Sequence, residues 1–135
     1  MEPVTGVSLW ELFKHLKLWL RNLNRASEQR KSQSVSALRS VIVVTRSTAA
    51  YMRQLSETDK RSYPKEANLS EQWTRLGFEL SDLGLAKLAK RCDINGRYWS
   101  DPHQFEKAFL DKADVSLERM EQLARQMVAE VERKP

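Results

Sequence analysis

A chain of 135 residues with 41% hydrophobic and 30% charged residues is long enough to bury a core without disulfide or metal staples, and too apolar to stay disordered. Its single cysteine excludes an internal disulfide, and two distant histidines supply no zinc-ligand cluster. The net charge of +5 is uneven: residues 1–63 hold eleven Lys/Arg against five Asp/Glu, and residues 64–135 hold twelve against thirteen. The basic half suits nucleic acid or an acidic partner, unless the other half neutralises it within the fold.

Only four glycines and four prolines occur, which predicts a few long elements in one domain over residues 1–135. The first helix is expected after Ser8, which makes a capping box with Glu11 while Val7 sits at the staple position. Leu9, Leu12, Leu16, Trp19 and Leu23 recur at threes and fours, the seam of a packed helix. Trp10, Phe13, Leu18 and Leu20 widen the apolar arc beyond one seam. Burial on two sides, a dimer interface and a membrane-surface helix all give such an arc. The first two rank higher, because an interfacial helix needs a cleaner polar face. Lys14, Lys17 and Arg21 break the run, so neither a bilayer span nor a secretory signal is expected, and the chain reads as cytoplasmic.

Asn24–Ser34 carries no large apolar side chain and reads as a loop or an exposed helical extension. A second helix is expected over Ser34–Leu55, with Val35, Leu38, Ile42, Thr45, Ala49 and Met52 at heptad spacing. Arg39, Arg46 and Arg53 fall seven apart beside that seam. Such a stripe either pairs with carboxylates of a neighbouring helix or offers rigid donor forks to an anion. A third helix is expected over Lys65–Ile94, with a break near Leu69-Ser70. Leu69, Trp73, Leu76, Leu80 and Leu83 form its seam; Leu85, Leu88 and Cys92 continue it with a shift. Gly77 and Gly84 lie seven apart on one flank, which suits close packing of another helix or space for a Trp, and less well a shallow ligand groove. Glu79 and Asp82 flank the same surface as expected partners for the arginine stripe. Cys92 reads as a small buried apolar residue.

Asn95-Gly96 reads as a C-terminal stop, since both tolerate the left-handed conformation. Asp101-Pro102-His103-Gln104 reads as a helix start, with Asp as N-cap and Pro in the first turn. The fourth helix then runs to about Glu132 through Phe105, Phe109, Ala113, Leu117, Met120, Ala124, Met127 and Val131.

Between the last two helices stand Arg97, Tyr98, Trp99, Asp101 and His103. Arg97 and His103, with five residues between them, resemble the loose arginine–histidine pattern of HEPN-type ribonucleases. The resemblance covers those two residues. It implies an all-helical ribonuclease in which Arg97 stabilises phosphate charge and His103 assists attack by the ribose 2′-hydroxyl. In that family the motif belongs largely to one helix, whereas here Pro102 and a helix start separate the pair. Read from the residues alone, Tyr98 and Trp99 plug the bundle end, Asp101 caps, and His103 points outward. Phosphate loops, dinucleotide fingerprints, metalloprotease motifs and nucleophile elbows are absent from the sequence.

These features predict an all-α, antiparallel up-down-up-down four-helix bundle with long helices. The expected function is that of a non-enzymatic accessory or interaction protein. It binds a protein partner or itself through the N-terminal helix and the arginine flank, with Arg39, Arg46, Arg53, Trp10 and Trp99 as contact residues and no metal or cofactor. Nucleic-acid binding through the basic half and a HEPN-like ribonuclease using Arg97 and His103 are the alternatives.

Overall fold

A computed structural model describes residues 9–105, 107 and 116–133, with side chains from residue 17 onward. Among these residues the chain is all-helical. The elements are α1 (Leu9–Asn24), α2 (Glu28–Thr58), α3 (Tyr63–Asp82), α4 (Ala86–Ser100), a 3-10 turn (Pro102–Gln104) and α5 (Leu117–Glu132). The expected cap Ser8 and the expected core positions Phe109 and Ala113 lie outside the described residues. No described helix is long and apolar enough to cross a membrane.

Of the two readings of Asn24–Ser34, the exposed helical extension holds from Glu28 onward, and the loop is three residues, Arg25–Ser27. Ser27 is extended (φ −65°, ψ 158°) and its hydroxyl accepts from the Arg30 N–H, which caps α2. Beyond that cap nothing in residues 24–34 interrupts a helix, since the stretch contains neither Gly nor Pro. At its other end α2 closes on Asp59, whose left-handed φ of 54° lets its N–H reach the Leu55 carbonyl.

The buried face of α2 is rotated from the heptad reading. Ser34, Ala37, Leu38, Val41, Val44, Thr45, Thr48 and Tyr51 are buried, Val35 and Ile42 are half-buried, and Ala49 and Met52 are exposed. Three of the buried positions are small hydroxyl residues whose hydroxyls donate within their own helix. Ser34, Thr45 and Thr48 donate to the carbonyls of Arg30, Ile42 and Val44. A hydroxyl satisfied by its own helix can be buried like an alanine.

The expected third helix is two. It breaks at Leu83–Leu85, not near Leu69-Ser70. Gly84 takes φ +87°, the Leu85 N–H bonds to the Leu80 carbonyl and the Gly84 N–H to that of Ser81. That pair of bonds is a Schellman ending, which requires a residue tolerant of positive φ. Gly84 therefore ends α3 rather than lining its face. Asn95-Gly96 in turn does not stop a helix, since α4 runs through it to Ser100. Asp101 makes no side-chain cap bond, and Pro102 opens only the 3-10 turn.

Gly96 is needed for packing. A Cβ there would collide with the Thr74 hydroxyl and lie 3.3 Å from the Ser70 carbonyl oxygen. The Ser70 hydroxyl donates to the Gly96 carbonyl across the gap at 2.8 Å. Gly77 makes the equivalent approach further along, where an added Cβ would lie 3.3 Å from the Ala89 carbonyl oxygen. Residues 70–77 thus meet 96–89 in reverse order, and α3 and α4 form the most extensive helix pair in the fold. On the other side α5 packs along α2.

The core cluster draws on α2, α3, α4, α5 and the 83–85 turn. Trp73 lies at its centre, fully buried, with its indole N–H on the Thr48 hydroxyl at 2.9 Å. From α1, Trp19 packs only at the margin of this cluster, and the buried Leu23 stands outside it.

The two glycines should respond differently to a methyl group. Gly96→Ala must push α3 and α4 apart and should cost about 1–3 kcal/mol. For Gly77→Ala the crowding is milder and is offset by roughly 1 kcal/mol of helix propensity, leaving stability near wild type. Urea unfolding midpoints of the two variants check this.

Candidate functional site

Two places in the fold gather functional groups. The first is a cleft at the end of the bundle, about 560 Å³ in volume, within the range of small-molecule sites. The α2–α3 connection supplies Arg61, the start of α3 supplies Tyr63, Glu66, Ala67 and Ser70, and the chain leaving α4 supplies Trp99 to His103.

A buried carboxylate organises this cleft. Glu66 is 4% exposed. One oxygen accepts from the Tyr51 hydroxyl at 2.5 Å, and the other accepts from the Arg61 guanidinium at 2.9 Å. The Tyr51 oxygen in turn accepts from the Ser62 N–H at 2.9 Å. Each charged or polar atom is therefore matched, as burial demands. Burial, followed by the bond to Glu66, raises the Tyr51 phenol above its ordinary value. Above it, the Trp99 ring is held edge-on by Tyr51 (centroids 5.5 Å apart) and by Tyr98 (4.9 Å).

Tyr51, Arg61, Tyr63 and Glu66 were not singled out from sequence. A signal existed for Glu66: it continues the Leu69, Trp73, Leu76, Leu80 seam by three residues toward the N-terminus. A carboxylate in an apolar row needs partners, and the neighbouring connection supplies Arg61.

Trp99 is buried, so it serves the cleft wall rather than an outer surface. His103 lines the cleft, but Arg97 is not among the lining residues. Arg97 sits on the exposed side of α4, paired with Asp93 one turn back at 3.1 Å. Among the described residues, the cleft is not lined by both residues that carry the ribonuclease resemblance.

The arginine stripe faces α5, not Glu79 and Asp82. Arg39 pairs with Glu132 at 2.9 Å and Arg46 with Glu121 at 3.1 Å, while Arg53 reaches only Glu57 of its own helix, at 3.9 Å. Arg46, then Arg125, holds the Glu121 carboxyl below its usual value. Rising numbers on α2 meet falling numbers on α5, so these two helices are antiparallel and bring the pairs into register. Arg39 and Arg46 remain 61% and 62% exposed. Such pairs contribute little to stability, on the order of 0–1 kcal/mol each.

The second place is the seat of α1. The Trp19 indole N–H donates to the Leu83 carbonyl at 2.8 Å. That carbonyl belongs to the last turn of α3, where helical partners run out, so Trp19 caps α3 from outside. Its ring lies against Gly84. Around it, Leu18, Asn22, Leu23 and Arg30 complete a cavity of about 400 Å³. The Trp10 side chain lies outside the described residues.

Cys92 is fully buried, and burial pushes its thiol far above the ordinary range. Among the described residues no group of three His, Cys, Asp or Glu side chains could hold a metal ion. Comparison with protein-family models, curated proteins and solved structures finds no match to this chain.

Two measurements test this geometry. Because the folded-state pKa of Tyr51 is raised, its contribution is intact below the unfolded value of about 10 and is lost as pH rises past it. Alkaline unfolding should therefore be less steep in Tyr51→Phe than in wild type. Cys92 should resist thiol reagents in the native protein and react fully once urea unfolds it.

Proposed function

We propose that this chain is a non-enzymatic interaction module that binds a protein partner, or a second copy of itself, through α1 and the arginine-lined flank. In this reading α2–α5 form an up-down-up-down bundle that serves as scaffold, and α1 is the docking element. The position of α1 outside the core is the observation that carries the proposal. Among the described residues the core cluster contains no side chain of α1, and Trp19 packs against its margin. Leu18 is 60% exposed, and Trp19 and Leu20 are only half-buried. An apolar helix that its own domain leaves partly uncovered marks a surface for association.

The arginines fit the rim of such a surface better than its centre. Each is already matched by a carboxylate, so it offers spare donors rather than unbalanced charge. The separation of Arg97 from the cleft that holds His103 favours the non-enzymatic reading over RNA cleavage.

Light scattering over a range of concentrations provides the test. The expected result is a mass that rises above the monomer's 15.7 kDa with concentration and falls back in Leu20→Glu. A mass that stays monomeric throughout removes self-association from the proposal.

A further inference from the structure

We infer that α1 exchanges between two copies of the chain: it leaves its own seat, and the α1 of a second copy fills that seat. This inference rests on the self-association reading above and specifies its geometry. Three features of the structure lead to it.

The seat is specific, and its ligand is known, because α1 occupies it. It needs an indole N–H for the Leu83 carbonyl, a flat ring against Gly84 and a leucine that becomes buried, as Leu23 is. The α1 of another copy satisfies each requirement with identical residues. Exchange therefore conserves the seat contacts, which is why it is a low-cost route to dimers.

The connection permits it. Only Arg25, Ala26 and Ser27 separate the two helices. Their bend is held by two turn bonds, from the Arg25 N–H to the Asn22 carbonyl and from the Ala26 N–H to the Leu23 carbonyl, and by the Ser27 cap. No Gly or Pro lies between Asn24 and Ser34. If Ser27 turns from extended to helical, α1 and α2 become one rod of about 75 Å at 1.5 Å per residue. The Ser27 cap then becomes unnecessary, because the Arg30 N–H finds a carbonyl inside the continuous helix. A short hinge whose straightened form is itself regular structure is the usual setting for exchange.

The scaffold also survives the exchange. The described core residues come from α2–α5 and the turn between α3 and α4, and the described side chains of α1, from residue 17 onward, leave the centre of that cluster intact when α1 is withdrawn.

Hinge variants distinguish this dimer from a side-by-side one. Ser27→Ala removes the cap only from the bent form and should tighten dimerisation about fivefold per hinge. A short Gly/Ser insertion between Ala26 and Ser27 lets α1 fold back without strain and breaks the continuous rod, so it should return the protein to monomer. Trp19→Ala and Leu18→Glu alter the seat identically in the closed monomer and in the exchanged dimer, so both should leave the dimerisation constant within about twofold, whereas a side-by-side dimer built on the exposed Leu18 would be lost in Leu18→Glu. Light scattering reads all four, with circular dichroism confirming that each variant is folded. A dimer indifferent to both hinge changes but lost in Leu18→Glu would overturn the exchange and leave self-association through α1 standing. A protein that stays monomeric at every concentration, Ser27→Ala included, would also overturn it.

Discussion

The approach of α3 to α4 at backbone distance governs the arrangement of everything else described here. Gly96 against Thr74 and Ser70 lets the two helices lie closer than a side chain there would allow, and Gly77 against Ala89 continues the close approach with less crowding. That closeness leaves room for only a tight reversal between them, which Gly84 supplies through its positive φ. The reversal presents the Leu83 carbonyl to Trp19, and so sets the seat of α1. At the other end of the same pair, α4 delivers Trp99 to His103 opposite the start of α3, which forms the cleft. Both candidate sites are thus consequences of one helix pair, seen from its two ends.

The interior shows how polar residues enter such a core. Thr48 is bonded both to its own helix and to the Trp73 indole, so its hydroxyl joins α2 to α3. Glu66 does more: it ties Tyr51 of α2 and Arg61 of the connection to the first turn of α3. Buried groups of this kind contribute specificity of arrangement more than net stability, because desolvation offsets much of what their bonds return. The surface pairs between α2 and α5 are of the other sort. They are exposed, screened by salt, and report the register of two helices already brought together by apolar burial.

The scaffold and α1 stand in different energetic positions. A helix that shares in the central core cannot leave without opening a cavity. One that contributes a capping indole at the margin can leave at the cost of its own contacts. The chain has placed its most lopsided apolar helix in the second position, behind a hinge free of helix breakers. This is why the functional proposals centre on α1 and not on the cleft, where each buried polar atom already has its partner.

Much of this was readable from residue spacing. The all-helical class, the apolar face of α3 and the burial of Cys92 follow from periodicity and composition, which act over a few turns of one helix. Helix ends and faces were less readable where one residue type serves two purposes. Gly84 and Gly96 are chemically identical, yet one ends a helix by its φ and the other admits a neighbouring backbone. Serine and threonine on α2 look like solvent residues until a partner helix covers them. The pairing of Arg39 and Arg46 with α5 instead of Glu79 and Asp82, and the gathering of Arg61, Glu66 and Tyr51, required the tertiary structure. Those contacts join residues far apart in the chain, and only the way whole helices pack decides which of several compatible carboxylates each arginine meets.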